Sequence, residues 1–135
     1  FKSGVVLTNG LINFLDELKK RNTVLAICSG NLPEIGRIKL ENAGIYQYFD
    51  SELLGFCWND KRSEILKMII QKAKEKYEII NVIHIGDTCD DVNSATQSDA
   101  IPVAIKEFNL DKQVQCDNTF QDFEQGKDPI LSLLN

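Results

Sequence analysis

Hydrophobic residues along this chain fall into two alternating patterns. The first has helical spacing. Leu11, Ile12, Phe14, Leu15 and Leu18 recur near the helical period, Thr8 or Asn9 can cap the segment, and Lys19-Lys20-Arg21 suit its C-terminus. The second is an unbroken apolar run, Val24-Leu25-Ala26-Ile27-Cys28. A run of that length without alternation predicts a strand buried on both faces, as in a parallel sheet. Pro33-Glu34 opens a further helix, which Gly44 stops. Tyr48 to Leu54 is a short strand candidate. Ser63 to Lys76 reads as a helix with Ile65, Met68, Ile69 and Ala73 on one face. Ile79 to Ile85 reads as a strand closed by Gly86, Asp91 to Gln97 as a short helix, and Ala100 to Ala104 as a strand whose Pro102 suits a sheet edge. Thr119-Phe120 forms a strand or turn, and Pro129 to Leu134 a last helical turn.

Strands alternating with helices predict an α/β fold, a Rossmann-like parallel sheet flanked by helices with right-handed crossovers. No linker or repeat divides the chain, and 135 residues suffice for one core, so 1–135 reads as a single domain. In such sheets ligands bind beyond the carboxyl ends of the strands. Two of these ends are rich in chemistry: Ser29-Gly30-Asn31 and Gly86-Asp87-Thr88-Cys89-Asp90-Asp91.

Composition removes some function classes. A net charge of −5 and a pI of about 4.9 argue against a nucleic-acid binder, which needs a basic face. No apolar stretch approaches the roughly 18 residues of a membrane span. The four cysteines, Cys28, Cys57, Cys89 and Cys116, are widely spaced, and His84 is the only histidine. That disfavours a thiolate metal centre and fits reduced thiols in a cytoplasmic protein.

Like charges crowded at a strand end repel unless a cation sits among them. Asp87 follows the strand directly, and Asp91 comes four residues later, near the start of a helix. Such a pair can share a hard cation. Mg²⁺ fits, because it takes one or two protein carboxylates with water and substrate phosphate. Equally, Asp90 or Asp91 can simply cap the helix. Ser29-Gly30-Asn31 offers a hydroxyl and backbone N–H groups before a helix, an anion seat or a plain turn. Lys61 and Arg62 open the long helix, where the helix dipole disfavours cations, so they either face an anion or are solvated surface charge.

Together these elements resemble the haloacid dehalogenase-like (HAD) hydrolases. They consist of an apolar strand ending in Ser29, a basic residue at a helix start, and an apolar strand ending in Gly86-Asp87-x-x-x-Asp91. Ser29-Gly30-Asn31 followed by Leu40, Ala43-Gly44-Ile45, Tyr48-Phe49-Asp50 and Gly55 is similar to the phosphoglycolate phosphatase-like branch. The resemblance covers Leu11 to about Phe123. It implies a phosphatase in which Ser29 hydrogen-bonds the transferring phosphoryl group, with Gly30 and Asn31 beside it. Arg62, or Lys61 as second choice, would neutralise phosphoryl charge, and Asp87 and Asp91 would hold Mg²⁺. The implied partner is a small phosphorylated metabolite.

One element of the family pattern is missing. The family's nucleophile opens an Asp-x-Asp motif on an N-terminal strand that is followed by a cap, and no Asp-x-Asp occurs in this chain. The resemblance therefore implies the C-terminal part of such an enzyme, beginning just after the cap. It would lack the central strand between those ending at Ser29 and Asp87. Two strand edges would then be unpartnered. The rest of the protein or a neighbouring subunit would complete the sheet. The alternatives are a non-catalytic phosphate- and metal-binding relative and a regulatory α/β domain. Phe56, Cys57, Trp58 and His84 read as packing residues.

Overall fold

Ile83 and Ile85 on one strand and Val103 and Ile105 on the next contribute to one core, which two helices close. This arrangement is seen in a computed structural model that describes residues 10–29, 38, 40–56, 61–86, 89–106 and 116–134. Its elements in chain order are α1 (Leu11–Lys20), β1 (Ile27–Ser29), a 3-10 turn (Tyr46–Tyr48), β2 (Leu54–Phe56) and α2 (Arg62–Lys76). There follow β3 (Ile83–Gly86), α3 (Cys89–Gln97), β4 (Ile101–Ile105), β5 (Thr119–Phe120) and α4 (Phe123–Leu133). The core gathers Phe14, Leu15 and Leu18 of α1 with Phe123, Ile130 and Leu131 of α4. The rings of Phe14 and Phe123 stack with centroids 5.0 Å apart. Alternation along β3 then turns His84 and Gly86 to the opposite face, toward α3, so helices cover both sides of the sheet.

Among the described residues all strand pairing is parallel, as expected. β1 pairs with β2, and β3, β4 and β5 form a second group in that order. The remaining edges of β1 and β3 frame a cleft of about 460 Å³, walled by apolar side chains that include Leu25, Ile27, Leu66, Ile69, Ile83 and Ile85. Among the described residues no strand pairs with either edge. Helix α2 packs on β1, β2 and α3. Its approach to β2 depends on Gly55, where a methyl group would come within 2.7 Å of Ile65 Cγ2 and 2.9 Å of Ile69 Cγ1.

Several boundaries differ from the sequence reading. Tyr48 to Leu54 is a pair of turns, because Leu53 N donates to Asp50 O at 2.9 Å and Asp50 Oδ1 accepts from Glu52 N at 2.9 Å. The strand begins only at Leu54. β3 starts at Ile83 rather than Ile79, and Ile80 is 88% exposed, a position no buried strand allows. β4 is central rather than an edge. Pro102 is tolerated there because β5 pairs only with Ala104 and Ile105, while the Pro102 carbonyl accepts from Asn118 Nδ2 at 3.3 Å. The last helix is longer than one turn. Asp122 accepts from Gln125 N at 2.8 Å, and Gln125 Oε1 accepts from Gln121 N at 2.7 Å, which fixes a helix start well before Pro129. Thr8, Asn9 and Pro33-Glu34 lie outside the described residues; Ile38 and 40–42 are helical.

No helix among the described residues is long and apolar enough to cross a membrane.

Candidate active site at the strand ends

The C-terminal ends of β1 and β3 and the start of α2 meet at one place. Cys28 Sγ donates to the backbone carbonyl of Arg62 at 3.8 Å, which ties β1 to the first residue of α2. From there the Arg62 guanidinium reaches α3. Its Nη1 donates to Asp91 Oδ1, and its Nε stands 3.9 Å from Asp90 Oδ2. Asp91 is 6% exposed, whereas the Asp90 side chain is 70% exposed. Both lie in the first turn of α3, which Cys89 opens, so neither is the residue that caps it. Their negative charge at that end is favoured by the helix dipole.

Gly86 lets this carboxylate sit against the strand. A methyl group at Gly86 would overlap the Asp91 carboxyl carbon and Oδ2. Two residues back on the same face of β3, His84 is buried, and its Nε2 lies 3.7 Å from Asp91 Oδ1. The sequence reading set His84 aside as a packed residue. The signal that joins it to the site is strand alternation, which puts His84 and Gly86 on one face.

The residues expected at the site are placed as follows. Arg62 and Asp91 are brought together. Lys61 precedes α2, is exposed, and makes no ion pair among the described residues. Ser29 ends β1 opposite Phe56. Gly30, Asn31 and Asp87 lie outside the described residues, as do Cys57 and Trp58. A guanidinium pairs directly with Asp91.

A family model described as haloacid dehalogenase-like hydrolase matches residues 1–105. The chain belongs to the haloacid dehalogenase-like hydrolases. Two solved structures share the HAD fold. One is a HAD-superfamily hydrolase from Ehrlichia chaffeensis, with a TM-score of 0.68 and 24% identity, covering 96% of this chain and 60% of that one. The other is an archaeal beta-phosphoglucomutase from Pyrococcus sp. strain ST 04, with a TM-score of 0.71 and 23% identity, covering 90% of this chain and 54% of that one. The HAD chain thus spans little more than half the length of these relatives. A search of curated proteins gives no match.

The HAD family typically uses Mg²⁺, and the donor chemistry here is compatible with it. Asp91 presents a buried carboxylate, a hard oxygen donor, at the carboxyl edge of a parallel sheet. Among the described residues no three His, Cys, Asp or Glu side chains cluster as a closed metal cage.

Proposed function

We propose that this HAD chain carries the charge-stabilising half of a Mg²⁺-dependent phosphatase that hydrolyses a small phosphorylated metabolite. The observation that supports this reading most is the Arg62–Asp91 pair, held over Gly86 where β3 ends and the cleft beside β1 opens. Parallel α/β sheets bind ligands at such strand ends. In this reading Arg62 turns its fork toward phosphoryl oxygens, which a guanidinium binds bidentately. Ser29 hydrogen-bonds the same group from the end of β1, with Gly30 and Asn31 offering backbone N–H groups. Asp87 and Asp91 would hold Mg²⁺, which when bound supplies positive charge to the phosphoryl oxygens.

The nucleophile in this reading is an aspartate outside residues 1–135. Its carboxylate oxygen bonds to phosphorus as the bond to the ester oxygen breaks, and that oxygen takes a proton from water to leave as the alcohol. Water then cleaves the aspartyl-phosphate to inorganic phosphate and the free aspartate. The strand that carries it would lie between β1 and β3, pair with the two edges that have no strand partner among the described residues, and cover the apolar cleft. That strand comes from the rest of the protein or from a neighbouring subunit. The phosphoglycolate phosphatase-like pattern makes phosphoglycolate one candidate among small phosphate esters.

Hydrolysis of p-nitrophenyl phosphate by the complete protein, with Mg²⁺ and after chelation, tests the proposal. Turnover that requires Mg²⁺ is expected. An absence of turnover would overturn it in favour of a non-catalytic binding relative, and turnover unaffected by chelation would overturn the Mg²⁺ dependence.

A further inference from the structure

We infer that His84 is a positioning residue for Asp91. It would hold the carboxylate from the buried side while Arg62 holds it from the open side. The inference rests on the reading above, in which Asp91 serves a divalent cation. Three observations carry it. First, His84 is more than nine-tenths buried, and its Nε2 makes no hydrogen bond among the described residues. A buried polar nitrogen in that state is unusual in a folded protein and calls for a reason. Second, Asp91 Oδ1 stands 3.7 Å from that nitrogen, beyond a hydrogen bond but within a small side-chain shift of one. Third, the Asp91 carboxylate lies directly against Gly86, where a methyl group would overlap it. The carboxylate therefore lies against the strand with an imidazole nitrogen and a guanidinium both beside it.

Both donors address the same oxygen, Oδ1. When Arg62 turns toward a phosphoryl group, its grip on Oδ1 loosens. His84 Nε2–H is then placed to close onto that oxygen and keep the carboxylate from swinging away from the strand end. Partners of this kind behind a metal-binding side chain typically govern affinity by about 10- to 100-fold.

The test uses the complete protein and Mn²⁺ as a spectroscopic probe, with affinity read by electron paramagnetic resonance. His84→Leu keeps the bulk and loses the donor; His84→Gln returns an N–H near the Nε2 position. The expected result is a loss of Mn²⁺ affinity of about 10-fold or more in His84→Leu, largely recovered in His84→Gln. Equal affinities in the two variants, or wild-type affinity in both, would reduce His84 to packing and overturn the inference. Imidazole ¹⁵N spectra without metal give a second readout, which stands even if His84→Leu does not fold. The His84 Nε2–H signal, assigned by its loss in His84→Gln, should shift in Asp91→Asn, and an unchanged signal would overturn the coupling. Asp91→Asn with undiminished Mn²⁺ binding is a separate failure, because it removes the metal reading on which the inference rests.

Discussion

The Asp91 carboxylate packs on the backbone of Gly86, with no space between them for even a methyl group. Two residues from different elements thus fix one distance at the centre of the site. Gly86→Ala should force Asp91 or α3 outward. The expected cost is that of overpacking, about 1–3 kcal/mol, read by denaturant unfolding. A neutral Gly86→Ala would show that Asp91 does not sit where it is described.

Arg62 and Lys61 are adjacent in sequence but differ in surroundings. Arg62 is partly buried against Asp91, and Lys61 is exposed. Arg62→Ala leaves the carboxylate without its guanidinium and should cost about 1–3 kcal/mol. Lys61→Ala should stay within about 0.5 kcal/mol of wild type. Urea titrations of both variants check this, and the reverse ranking would make Lys61 the residue that faces the acids.

Asp50 ties the turn before β2 to the end of α2. Its Oδ2 accepts from Lys76 Nζ at 2.8 Å and from Tyr77 Oη at 2.6 Å. Lys76 first, then Tyr77 and the Glu52 backbone N–H, pull its pKa from the usual 3.8 down to about 2. The folded-state value is depressed, so the stabilisation is full above the ordinary carboxylate pKa. It is lost as pH falls from about 3.8 toward about 2. Asp50→Asn should therefore lower the Tm near neutral pH, and the gap to wild type should close by about pH 2. A gap independent of pH would assign the effect to something other than this carboxylate.

Much of this was legible in the sequence, and the misses have physical causes. The apolar runs before Ser29 and Gly86 marked parallel strands, and the helix beginning near Arg62 followed from spacing alone. The Arg62–Asp91 contact was not legible, because it joins residues from two helices that only the sheet brings together. The turns between Tyr48 and Leu54 depend on hydrogen bonds at Asp50 that apolar patterning does not register. α4 was cut short by Pro129, although Asp122-x-x-Gln125 already carried a capping signal. Pro102 was assigned to an edge because the shortness of β5 is not visible in β4 itself.

The facing edges of β1 and β3 predict the behaviour of residues 1–135 in isolation. The cleft between them is walled by apolar side chains and, among the described residues, has no strand across it. Uncovered edges and apolar surface favour association. The isolated chain should bind an apolar fluorescent dye more strongly than the complete protein and should self-associate as concentration rises. Analytical ultracentrifugation that finds a stable monomer with no dye binding would show the edges to be covered.

The central assignment is that Asp91 serves phosphoryl transfer at the end of β3. It is tested most directly by the rate of Mg²⁺-dependent phosphate ester hydrolysis in the complete protein carrying Asp91→Asn, with Asp50→Asn as the control acid. The expected outcome is a fall in kcat/KM of about 100-fold or more for Asp91→Asn and little change for Asp50→Asn. Wild-type turnover in Asp91→Asn would contradict the assignment.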